Sequence, residues 1–107
     1  MTEEFDAFDV ELATKYGLNS AIILEKINDW TNEKTDATVF HDGRYWVVKS
    51  RREMTVALPY LSARQIAFAT NKLVDAGLVI VGHYSKPPFD RSLWYCLTDN
   101  GKKLFQK

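Results

Sequence analysis

Apolar positions along the chain alternate between helical and extended spacing, and each change of period marks an element. Val10 to Tyr16 form a short helical segment closed by Gly17, a favoured helix terminator. Asn19 then reads as the N-cap of a second helix, with Leu18 before it and Ile23 four residues beyond it placed as a hydrophobic staple. Ile23, Leu24, Ile27 and Trp30 follow the i, i+1, i+4, i+7 spacing of a core-facing stripe, opposite Glu25, Asp29, Asn32 and Glu33. Ile22 falls beside that stripe and is free for a second contact. From Thr38 the period becomes extended: Thr-Val-Phe-His and Arg-Tyr-Trp-Val-Val-Lys flank Asp42-Gly43, the signature of a tight hairpin. Ser50-Arg51-Arg52-Glu53 is a capping box that opens a helix ending before Pro59, because proline disfavours helical geometry at the residue before it.

A second capping box, Ser62-Ala63-Arg64-Gln65, starts a helix that runs to Ala76 with Gly77 at its end. At about 100° per residue, Ile66, Thr70, Leu73 and Val74 share the inward face, and Arg64, Gln65, Phe68, Asn71, Lys72 and Asp75 the outward one. Residues 78–84 and 93–98 read as two strands able to pair antiparallel around a loop, residues 85–92, whose Pro87-Pro88 cannot join a ladder. Thr98 caps a closing helix from about Asp99 to Gln106. Two helices joined by a tight connection, followed by a strand, a loop and a strand, predict an α+β winged helix-turn-helix: a helical bundle with a small antiparallel β-hairpin wing, forming a single domain over residues 1–107.

Composition narrows the function. At 107 residues and 46% apolar the chain suits one core. No apolar run approaches the roughly 20 residues of a membrane span, and the acidic start MTEEFDAFD is unlike a secretory leader, so a soluble cytoplasmic protein without a membrane partner is expected. The lone Cys96 has no disulfide partner, and His41 and His83 show no metal-ligand spacing. With no Ser, His and acid set in view, neither catalysis nor a cofactor or metal is expected.

The formal net charge is zero, but its distribution is uneven. Residues 1–36 carry three lysines against nine acidic groups, a net of −6, and residues 37–107 carry eleven basic against five acidic groups, a net of +6. Such a split suits one anion-facing surface, although two ordinarily solvated halves would look the same. The residue types refine this. On the fourth helix Arg64 could read guanine bidentately and Gln65 and Asn71 could read adenine, with Lys72 alongside; a solvated helix face is the plain alternative. Phe68 could meet a thymine methyl or a partner surface, or the helix could be rolled so that it is core. Arg51 and Arg52 begin one helix and Ser62 caps the next, positions that favour a phosphate, while capping alone accounts for the serine. Lys86 and Arg91 in the wing would reach backbone or minor groove, with Asp90 or the Trp94 face competing for Arg91. Trp30, Tyr45, Trp46, Trp94 and Tyr95 occur at core spacing, which favours packing over base stacking.

The closing run Tyr95-Cys-Leu-Thr98-Asp-Asn-Gly101 resembles small transcriptional regulators of the MarR and PadR type. The segments Tyr16-Gly-Leu-Asn-Ser-Ala-Ile-Ile-Leu, Phe40-His-Asp-Gly-Arg-Tyr-Trp46, Pro59-Tyr-Leu-Ser62 and Asp90-Arg-Ser-Leu-Trp-Tyr95 more closely resemble the N-terminal winged-helix domain of phage and plasmid replication proteins, the replisome organisers and DnaD type, over roughly residues 12 to 98 in matching order. That resemblance implies binding of double-stranded origin DNA or assembly with other replication proteins. It covers only the first part of such proteins, so helicase recruitment is not implied. Where basic members carry adjacent Arg or Lys in mid-helix, this chain has Ala67 and Phe68. A protein-interaction module is the rival reading. A homodimer through the first two helices is a further expectation, since Ile22, Phe5 and Phe8 need cover.

Overall fold

The structure, a computed structural model, describes residues 10–34, 38–82 and 92–105. Among these, five helices and a four-stranded antiparallel sheet give an α+β fold in the order α1 (Val10–Tyr16), α2 (Leu18–Glu33), β1 (Thr38–His41), β2 (Arg44–Lys49), α3 (Arg51–Ala57), α4 (Ala63–Asp75), β3 (Val79–Gly82), β4 (Leu93–Leu97), α5 (Asp99–Lys103). The proline-containing loop expected as a wing, with Lys86 and Arg91, lies mostly outside the described residues, as do Phe5 and Phe8.

Most elements form where local chemistry demands them. At the first hairpin Asp42 and Gly43 both take positive φ, 55° and 78°, the pair of left-handed conformations that a two-residue turn needs to match strand twist. Both capping boxes are complete: Ser50 Oγ accepts from the Glu53 amide at 3.0 Å while Glu53 Oε1 accepts from the Ser50 amide at 2.7 Å, and Ser62 with Gln65 repeats the exchange.

Two expectations are corrected. Asn19 is not a cap. Only Gly17 separates α1 from α2, so that one residue both closes the first helix, its amide donating to Ala13 O, and opens the second, its carbonyl accepting from Ala21 N. Its φ of 95° explains why a glycine stands there, and Asn19 falls inside the helix. The staple fails with it, because Leu18 is left half exposed while Ile23 is fully buried. Ile22, expected beside the core stripe, is only 7% exposed and belongs to the core of its own chain, which removes one reason to expect a dimer through α1 and α2.

The strands expected as two hairpins form one sheet in the order β1-β2-β4-β3, because β2 also pairs with β4, Val47 opposite Tyr95 and Val48 opposite Trp94. Strand alternation then divides the sheet. Val47, Val79, Tyr95 and Leu97 face the helices and enter the main core with Ile23, Leu24, Ile27, Met54, Leu58 and Leu73. Trp46, Trp94 and Cys96 fall on the other side, where Trp94 meets Trp46 edge-on at 6.3 Å and His41 at 5.5 Å, and Trp46 Nε1 donates to His41 O. The aromatic residues are packing groups in the main, as their spacing predicts, although Tyr45 is substantially exposed.

Helix α5 closes the domain through a compact latch. Thr98 Oγ1 donates to Gly77 O at 2.6 Å and accepts from the Gly101 amide, and Thr98 N donates to Leu78 O. The helix ends at Lys103, earlier than expected, and Leu104 and Phe105 pack against the core. Gly101 sits so close to this strand start that a methyl group there would run into the Leu78 carbonyl. Gly101→Ala should therefore force a backbone shift costing about 1 to 3 kcal/mol despite alanine's better helix propensity. A thermal melt several degrees below that of the parent chain is the expected result.

Candidate nucleic-acid interface

Helix α4 is held by its inner face. Ile66, Ala69, Thr70 and Leu73 are buried, and the Thr70 hydroxyl is satisfied within the helix by Ile66 O. Ser20 of α2, itself buried, donates to Ala69 O at 3.1 Å. The sequence expectation placed Val74 inward and overlooked Ala69. The observed face is rolled slightly the other way, because the short Ala69 side chain admits α2 and leaves Val74 38% exposed.

The outward residues come out as expected: Arg64, Gln65, Phe68, Asn71, Lys72 and Asp75 are all exposed. Phe68 is 68% exposed, which excludes a roll that would bury it. The helix stands as a ridge between two grooves. One, of about 460 Å³, runs between the α1–α2 junction and α4 and is lined by Tyr16, Gly17, Leu18, Asn19, Arg64, Phe68 and Lys72. The other, of about 500 Å³, lies between α4, α3 and the sheet and is lined by Arg51, Met54, Arg64, Ala67, Asn71, Val74, Val81 and Leu93.

Arg64 borders both grooves, Lys72 the first and Arg51 the second, so three of the cations singled out by sequence gather on the flanks of one helix. Arg52 is exposed but lines neither groove. Lys72 is partly held: its Nζ lies 5.9 Å from the centre of the Phe68 ring, and a methyl group on Gly17 would come within 3.3 Å of it. Arg51 stands close enough to Tyr95 for its charge to draw the phenol pKa down, against the larger upward push of burial.

The capping boxes set what two candidates can do. Ser62 Oγ accepts from the Gln65 amide, and Gln65 Oε1 is occupied by the Ser62 amide at 2.9 Å. A bidentate adenine contact needs the carboxamide oxygen and nitrogen turned to the base together, whereas this bond engages one lone pair of the Gln65 oxygen and holds it toward the start of its own helix. Asn71, one and a half turns on, carries no such bond among the described residues and keeps the full donor and acceptor pair.

Sequence reasoning missed the groove wall contributed by residues 16–19. The signal was Gly17 itself: a lone glycine between two helical patterns can be the whole connection, leaving no room for a following cap. Elsewhere, the buried Cys96 thiol has its pKa raised mainly by burial, against a hydrogen bond from Arg44 and the charges of Arg44 and Lys102, with Asp99 adding a small upward push. Among the described residues there is no cluster of His, Cys, Asp or Glu that could hold a metal ion, and no helix long and apolar enough to cross a membrane. Comparison of the chain with protein-family models, with curated proteins and with solved structures finds no match.

Two measurements follow from this geometry. Ser62→Ala removes an N-cap and should cost about 1 kcal/mol of stability, read as a lower denaturant midpoint at unchanged slope. Cys96, buried and with little thiolate at neutral pH, should react with a disulfide reagent such as Ellman's only slowly in the native protein and fast in denaturant; rapid native labelling would contradict the burial.

Proposed function

We propose that this chain is a winged-helix domain that binds double-stranded DNA, with α4 as the recognition helix in the major groove and α3 alongside the backbone. The observation that carries the reading is the ridge: an exposed helix face that presents Arg64, Gln65 and Phe68 in its first two turns and Asn71 at the start of the third, with Arg51 and Lys72 on its flanks and its one acidic residue, Asp75, at the far end. A recognition helix uses its N-terminal residues on bases and surrounding cations on phosphates. Arg51, Arg52 and Ser62 stand at the starts of α3 and α4, where amide donors and positive charge favour phosphate. In this reading Lys86 and Arg91 supply wing contacts. The element order α3-α4-β3-β4 supports the winged arrangement, and the role in phage or plasmid replication is supported by the sequence resemblance.

A second reading is favoured by one observation. Phe68 is a large apolar side chain exposed in the middle of the ridge beside half-exposed Leu18, as an anchor for a protein partner would be.

A fluorescence-anisotropy titration with random-sequence duplex across a salt series separates the two. A DNA binder loses affinity linearly in log salt as released counterions accumulate. Arg64→Ala should weaken binding by about 1 to 3 kcal/mol if the guanidinium reads a base, or flatten the salt slope by about one contact if it meets phosphate. Both Arg64→Ala and Phe68→Ala should melt like the parent, since neither side chain is in the core. Absence of salt-dependent binding, or an Arg64→Ala variant indistinguishable from the parent, would overturn the DNA reading in favour of the interaction module.

A further inference from the structure

Arg64, Phe68 and Asn71 lie at i, i+4 and i+7, so on a helix they share one stripe, directly opposite the buried stripe of Ile66, Ala69 and Leu73. The stripe is therefore a row with a cation at its start, an apolar ring at its centre and an exposed carboxamide beyond it. Each type has one good partner among major-groove edges: guanine for the arginine, the thymine C5-methyl for the ring, and adenine N6 and N7 for the asparagine. The ring cannot hydrogen-bond, and phosphate oxygens would repel its negative face, so on a DNA surface the methyl is the group it complements. Ala67, exposed next to it, leaves space on the second-groove side for a methyl to approach. On the first-groove side Lys72 Nζ lies near the ring and the α1–α2 junction, positioned for a flanking phosphate instead of a base.

We infer that Phe68 is a specificity-determining residue that selects duplex DNA carrying a thymine methyl beneath the centre of α4, next to an adenine read by Asn71. This rests on the DNA-binding reading and adds to it the base class at one position. It also accounts for a feature that phosphate contacts leave unexplained: a bulky apolar ring exposed amid charged neighbours.

The test uses the 5-methyl group itself. Duplexes enriched by the full chain from a random-sequence library are synthesised in two forms, one with thymine and one with uracil, which keeps every hydrogen-bonding group and removes only the methyls. Titrations are run with the parent chain and with Phe68→Ala. Burying one methyl corresponds to about a three- to five-fold affinity ratio, so the parent should bind the thymine form that much more tightly and Phe68→Ala should bind both forms alike. Asn71→Ala should weaken binding while keeping the thymine preference. Equal binding of both forms by the parent would overturn the inference, as would a preference that survives in Phe68→Ala. Salt-dependent DNA binding without enrichment of any sequence would overturn it too while leaving the DNA-binding reading intact, whereas no binding to any duplex would overturn both.

Discussion

The contact between α2 and α4 decides what the domain shows to the outside. Ser20 and Ala21 on α2 and Ala69 on α4 are small and buried, so the two helices meet closely, and the Ser20 hydroxyl is satisfied by the Ala69 carbonyl across the contact. A hydroxyl at this depth must find a partner or cost about 1 to 3 kcal/mol, so the bond fixes one rotational setting of α4 about its axis. Everything on the outer surface of the helix inherits that setting. Turning α4 by a single residue position in the direction that carries Phe68 toward the core would bring the buried Ile66 and Thr70 toward solvent. The candidate interface is thus specified from the inside, by small residues that never touch a ligand.

Around that contact the fold is assembled from local signals that agree with one another. Two serine capping boxes start α3 and α4, a two-residue turn with positive φ at both positions folds the first hairpin, and a threonine cap with a close-packed glycine ties α5 to the strand start. The serine boxes, the hairpin turn and the threonine cap were legible in the sequence because each depends on a few neighbouring residues whose chemistry permits little else, whereas the close approach of Gly101 to Leu78 joins distant positions and was not. The outward face of α4 was legible for the same reason: its polar and apolar positions follow a helical period that propagates from a well-marked start.

What escaped the sequence depends on distant partners. Pairing of β2 with β4 joins two hairpins into one sheet, yet nothing in either segment names the other, since both are β-branched and aromatic runs that could equally face solvent or a separate strand. Ile22 and Val74 were assigned to the wrong environments because a helical wheel gives an order of residues, whereas the width of the buried arc depends on how many elements pack against it. Ile22 sits on a helix that meets α1, α4 and the sheet, so its buried arc is broad; on α4 a small residue lets the neighbour in and shifts the arc. Gln65 shows the same limit at the site. Its residue type suggested base reading, but the capping box that its own spacing predicted already occupies the carboxamide oxygen.

The joining of β2 to β4 also bears on how quickly the surface comes into being. Helices α3 and α4, with strand β3, all lie in the chain between these two central strands, so the Val47–Tyr95 pairing closes a long loop that contains the entire ridge. The first hairpin and the capped helices can form on the timescale of local events, but the centre of the sheet must await a contact between distant parts of the chain, with its larger closure entropy. Strand β4 in turn packs Tyr95 and Leu97 into the same core as Leu73 of α4. Pairing of β4 with β2 therefore both joins the hairpins into one sheet and completes the core on which the inner face of α4 rests.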